Sequence, residues 1–115
     1  MSECADYVNQ VVLRGRVSHV GEERELPSGD LLRAWRLVVP RVGTGAQARR
    51  SQVDVIDVTC WSADTREAVA RLTDGEVVTV EGALRRRFFR TAAGVASRYE
   101  VEAASVVPDR AVDHR

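Results

Sequence analysis

The chain has 115 residues, enough for one domain with a single core that buries about two thirds of the unfolded surface. Val occurs 20 times against seven Leu and one Ile, a β-branched bias that argues against an all-α bundle, and no charge-free run approaches the roughly 18 residues of a membrane helix. Seventeen basic residues balance seventeen acidic ones, so any attraction to a polyanion has to come from local clustering and not from overall charge.

The chain opens with Met1-Ser2-Glu3-Cys4-Ala5-Asp6, which places acids where a secretory signal carries bases, so residues 1–6 are expected to be a flexible start and the protein cytoplasmic. Residues 7–107 are expected to form the domain. In 11–17, Val11, Leu13 and Val17 share one parity while Val12, Arg14 and Arg16 share the other, the pattern of a half-buried strand, with Gly15 marking a bulge or sharp bend. A short strand at 22–26 is followed by the turn Pro27-Ser28-Gly29-Asp30 and a strand at 31–39, together a hairpin in which Trp35, Leu37 and Val39 face the core. Residues 40–51 carry two glycines and three arginines without a sustained pattern and are expected to be a long mobile loop. Alternation resumes at 53–61, with Ile56, Val58 and Cys60 opposite Val55, Asp57, Thr59 and Trp61.

Residues 62–72 are the one helical segment, with Asp64 and Glu67 as a capping box and Asp74-Gly75 as its stop. A Val-rich strand at 76–81, a break at Gly82, a strand at 84–90, a turn at 91–94 and a last strand near 96–107 complete the order. Residues 108–115 are expected to be a short flexible end. Strands, one short helix and strands, with glycines at the corners, predict an all-β domain: a five-stranded Greek-key barrel of the OB type.

Cys4 and Cys60 are too few for a disulfide framework, and with His19 and His114 they show no short metal-ligand spacing. No phosphate-cradling glycine loop and no nucleophile elbow is present. A binding protein without cofactor, metal, membrane or small-molecule substrate is therefore expected, and not an enzyme.

All seventeen bases are arginines, and they are unevenly spread. Residues 31–53 hold Arg33, Arg36, Arg41, Arg49 and Arg50 with no acid; residues 82–99 hold Arg85, Arg86, Arg87, Arg90 and Arg98, again with none. Two such segments can meet in space as a stripe that attracts phosphate. In the strand at 84–90, Leu84 and Phe88 supply the apolar parity, which leaves Arg85, Arg87 and Phe89 projecting together on the other face. Arginine pairs with phosphate and stacks on bases, and an aromatic ring offers a base a sequence-tolerant platform. Trp61 is a second stacking candidate, or alternatively packs under the start of the helix. Arg14 and Arg16 on the outer parity of the first strand, with Arg36, Arg49 and Arg50, complete the candidate nucleic-acid contacts. Asp57 shares the candidate face. It either pairs with an arginine such as Arg36 or stands alone, and the second is expected.

Residues 9–17 (NQVVLRGRV), 26–30 (LPSGD), 58–61 (VTCW) and above all 80–85 (VEGALR) resemble the bacterial single-stranded DNA-binding protein family over nearly the whole chain. The resemblance implies an OB-fold that binds single strands without strong sequence preference in replication, recombination, repair or DNA uptake, as a homo-oligomer, tetramer ahead of dimer. It implies stacking roles for Phe89 and Trp61 and basic roles for Arg85 and Arg87. The chain departs from the pattern at Val55, where the family often has a stacking Trp, and after Pro40, where it often has another aromatic; at Ile56, where some members carry a His that helps subunits associate; and at 112–115, where an acidic tip closed by Phe would be expected. The alternative is an OB-type interaction module, a tail-less paralogue that modulates a full-length partner or a primosome.

Overall fold

The alternating segments become six strands and one helix: β1 (Val11–His19), β2 (Glu23–Glu25), β3 (Leu31–Pro40), β4 (Val53–Cys60), α1 (Ala63–Ala70), β5 (Val77–Thr91) and β6 (Gly94–Pro108). The structure, a computed structural model, describes residues 6–41 and 52–109. The expectations for 42–51, for the first five residues and for 110–115 fall outside the described residues, whereas Pro40 and Arg41, expected in the loop, continue the ladder, Pro40 opposite Val53 and the Arg41 N–H donating to the Gln52 carbonyl at 2.9 Å. The sheet runs β1-β5-β6-β4-β3, and β3 returns to pair with β1, closing a five-stranded barrel. The short β2 pairs with the first residues of β3. All pairings are antiparallel except β4 with β6, which are parallel. This is the OB arrangement that the order of elements predicts.

The inward parity of each strand fills the barrel. Trp35, Leu37, Val58, Cys60, Val78, Val80 and Val101 are each 2% exposed or less, and a Val or Leu buried to this degree contributes about 1.5–3 kcal/mol. Val69 and Leu72, from α1 and the residues after it, join the same cluster. The helix starts from a different cap than the sequence predicts. The Ser62 side chain accepts from the Thr65 N–H at 3.2 Å, and Ser62, at φ −74° and ψ 154°, is the last extended residue before the helical turn. Asp64 already lies inside that turn, so the Asp64/Glu67 pair cannot cap it.

Two glycines act differently from their expected roles. The bulge of β1 falls between Val17 and His19, in the pairing with β3; Gly15 instead passes so close to the Val38 carbonyl that no Cβ fits. Gly82 does not break the strand. β5 runs through it with a register shift between Glu81 and Gly82, and the Glu102 carbonyl occupies the place of a Cβ.

Because β5 is continuous, it forms with β6 a hairpin paired from Val78↔Pro108 to Thr91↔Gly94. β1 follows β5 only as far as Gly82, and β4 follows β6 only at Val101 and Glu102. Beyond Leu84↔Val101 the two strands therefore pair with each other alone and project past the barrel. The Asn9 side chain pins the root of this projection: its Nδ2 donates to the Leu84 carbonyl and its Oδ1 accepts from the Leu84 N–H, both at 2.9 Å. The projection corrects one reading of the sequence. Leu84 and Phe88 have the parity of the core, but the barrel interior ends before they can enter it, and they are 44% and 65% exposed.

Candidate nucleic-acid interface

The outward parity of β4 and the hairpin builds a groove of about 350 Å³. Asp57, Thr59 and Trp61 line it from β4 and the residue after it, Arg87 and Phe89 from β5, Arg98 and Glu100 from β6, and Arg24 and Leu26 from the β2–β3 side. Arg36 adjoins it in a recess shared with Asp57 and Arg98. The groove thus gathers Trp61, Phe89 and, at its edge, Phe88 with several guanidinium groups along one path. Phe89 is 39% exposed and Trp61 is half-buried, so both rings keep surface for a flat ligand.

Charge in the groove is closely paired. Glu100, only 5% exposed, accepts from the Thr59 hydroxyl at 3.2 Å and forms an ion pair with Arg87. A carboxylate removed from water to that extent requires such partners. Held there, the Arg87 guanidinium lies over the Trp61 ring at 5.1 Å. Arg98 lies over Phe89 at 5.3 Å and reaches Asp57 at 3.9 Å. Asp57 also meets Arg36 at 3.5 Å. The expectation that Asp57 stands alone is therefore corrected: the β3–β4 register sets Arg36 directly opposite it.

Trp61 and Phe89 are thus each flanked by a cation that a carboxylate steadies. A nucleobase can stack on the rings while its phosphates take over the arginines. The same carboxylates oppose phosphate, so binding here exchanges one anion for another.

The other sequence candidates fall elsewhere. Arg85 shares the outward parity, but it pairs with Glu102 at 2.8 Å in a neighbouring recess beside Asn9. Arg14, on β1, forms an ion pair with Asp109, and neither Arg14 nor Arg16 is among the lining residues of the groove. Arg49 and Arg50 lie outside the described residues. Trp61 meets the groove, not the core, while its carbonyl accepts from Arg66 Nε at 3.1 Å at the start of the helix. Sequence reasoning missed Arg24 and Arg98 as lining residues. Arg98 belongs to the acid-free stretch 82–99, and its partner Phe89 was already singled out, so that signal was present. No periodicity pointed to Arg24.

Cys60 offers no chemistry at this surface. Burial pushes its thiol above the ordinary value, outweighing the hydrogen bond that the Trp35 indole N–H donates to its sulfur at 3.3 Å. At neutral pH it is a protonated core residue.

Comparison with known proteins gives three results. The model of the single-strand binding protein family matches residues 8–108. A solved structure, the Plasmodium falciparum SSB complex with ssDNA, superposes with a TM-score of 0.76 over 94% of this chain and 98% of that one, at 19% identity, a likeness that bears on the fold alone. No curated protein matches.

Proposed function

The chain belongs to the single-strand binding protein family, and on that premise we propose that it binds single-stranded DNA through the groove, with little base preference and without catalysis. The observation that carries this reading is the pairing of each exposed ring with a cation, Trp61 with Arg87 and Phe89 with Arg98, along one path. In binders of this class a base stacked on an aromatic ring is worth about 1–3 kcal/mol. Replication, recombination, repair and DNA uptake all expose the strands that such a protein would protect in the cytoplasm, at the nucleoid.

The protein acts in this reading as a homo-oligomer, with a tetramer ahead of a dimer. The part of β1 from Val11 to Gly15 pairs with β5 on one side and with no strand on the other among the described residues, and Val12 beside that open edge is 57% exposed. Free edges of this kind are commonly covered by pairing.

Titration of a labelled oligothymidylate at low and moderate salt tests the binding. Affinity should be measurable at both concentrations and weaken with salt as phosphate contacts release counterions. No binding at low salt would overturn the reading. Light scattering tests the assembly, and the mass of a single chain at micromolar concentration would refute it.

A further inference from the structure

Alternation along the projecting hairpin gives it a second face, opposite in parity to Phe89 and Arg87. That face carries Leu84, Arg86, Phe88 and Arg90 from β5, and Val95, Ser97 and Tyr99 from β6. Phe88, Val95 and Tyr99 are 65%, 66% and 59% exposed, a large apolar area to leave in water. Arg86 sits between two of these rings, its Cζ 4.9 Å from the centre of Phe88 and 5.4 Å from that of Tyr99, and Ser97 Oγ accepts from its Nη2 at 3.2 Å. Among the described residues neither Arg86 nor Arg90 has a carboxylate partner.

We infer that this face is a second contact surface for single-stranded nucleic acid, on which the strand continues after leaving the groove, with bases stacking on Phe88 and Tyr99 and phosphates meeting Arg86 and Arg90. The inference rests on the reading of the groove as a single-strand site. Continuity is its first support: Phe88 also lines the groove, so a strand that passes it arrives directly at Arg86 and then Tyr99. Charge is the second. A polyanion would neutralise two arginines that no carboxylate among the described residues neutralises. A second copy docked on the same face about a two-fold axis would instead gather both arginines and their two copies in one interface to which the described residues of this face bring no carboxylate. Pre-ordering is the third, because Ser97 and the two rings already hold the Arg86 guanidinium, so less freedom is lost when a ligand arrives.

The test compares two oligothymidylates within the range of site sizes known for OB-folds, one of about 5 and one of about 16 nucleotides. The full chain and Tyr99→Ala are titrated with each, and Arg86→Gln is titrated with the longer. Tyr99→Ala should lose about fivefold or more on the longer strand and stay within about twofold on the shorter one. Arg86→Gln should weaken the longer complex and flatten its salt dependence.

Equal losses on both strands would make Tyr99 part of the groove site already described and overturn the inference, as would no loss on the longer strand. An altered mass of the variant in light scattering with unaltered affinity would make the face a subunit contact, again overturning it. Failure of the unaltered chain to bind either strand would instead sink the groove reading beneath it. Crosslinking of the unaltered protein to a long 5-bromodeoxyuridine oligonucleotide answers the same question without a variant: adducts at Tyr99 support the second face, and adducts confined to Trp61 and Phe89 contradict it.

Discussion

The two faces of the β5–β6 hairpin share a backbone, a composition rich in arginine and aromatic rings, and opposite electrostatics. On one face Arg85, Arg87 and Arg98 meet Glu102, Glu100 and Asp57. On the other, Arg86 meets two rings and a hydroxyl, and among the described residues neither it nor Arg90 has a carboxylate partner. A compensated cation is already oriented but must give up a partner to take a phosphate; an uncompensated one gains the phosphate outright. Exposed pairs such as Arg36–Asp57 are worth about 0–1 kcal/mol and exchange at little cost. The Glu100–Arg87 pair is different, because its carboxylate is buried and cannot be left alone. Arginine count is therefore a poor guide to the salt dependence of this protein. The arrangement of acids between the arginines decides it.

The comparison breaks most visibly if the stacking platforms are removed. Trp61→Ala and Phe89→Ala should each weaken single-strand binding by about 1–3 kcal/mol, roughly five- to a hundredfold, with the slope against salt nearly unchanged. Fluorescence anisotropy at three salt concentrations reads both quantities, and unaltered affinity in both variants would move the site off this face.

Glu100→Gln comes next. It removes the buried charge that steadies Arg87 and should lower stability by about 1–3 kcal/mol, a drop of several degrees in Tm, while binding weakens because Arg87 no longer holds its place over Trp61. Glu100→Gln melting at the parent temperature and binding more tightly would show that the pair only obstructs phosphate.

Asp57→Asn should do the reverse of Glu100→Gln. Freeing Arg36 and Arg98 from an exposed acid should tighten binding by up to about 1 kcal/mol, or about fivefold, at low salt. It should also steepen the salt slope by about 0.7 for each arginine released to a phosphate. A fall in both affinity and Tm would make Asp57 a scaffold for its two arginines and not a brake.

The smallest effect lies beneath both faces, at Cys60. Its folded pKa is raised by burial, so above the ordinary thiol value of 9.0 the unfolded chain gives up a proton that the folded chain keeps. Stability attributable to this group is present below that pH and declines as pH rises through it, by less than about 1 kcal/mol at pH 9.5. The melting temperature of Cys60→Ala, lower throughout because of the cavity, should lose this alkaline decline; an identical pH profile would show that the thiol titrates alike in both states.

Much of the barrel was legible in the sequence, because valine alternation states which residues share a face, and Trp35, Leu37, Val58 and Val80 obey it. What alternation cannot state is what covers a face. Leu84 and Phe88 have core parity and are exposed, since the partner strands stop short of them. The break expected at Gly82 is a bulge for a related reason: a glycine marks close approach of backbones, and only the register shows whether the strand continues. In the site, Trp61, Arg87 and Phe89 were legible from composition and parity, and Arg36 from its cluster. The pairing of Asp57 was not, because it depends on which residue of β3 stands across from it. Ser62 displaced Asp64 as the helix cap because the boundary of β4, invisible to propensity, sets where the first helical turn begins.

The clamp of Asn9 on Leu84 also dictates when this protein can finish folding. Those residues are 75 positions apart, and the strand that follows Asn9 takes its partner from β5 across a similar separation. Contacts so distant in sequence carry a large loop-closure entropy before they return any stability, and they place barrels of this kind among the slower-folding small domains. On the ribosome, the part of β1 from Val11 to Gly15 must wait for its partner until β5 has emerged, and the parallel pairing of β4 waits longer still, for β6. A substitution such as Asn9→Ala therefore bears on the yield of folded protein during synthesis, a quantity that an equilibrium titration of the finished molecule does not register.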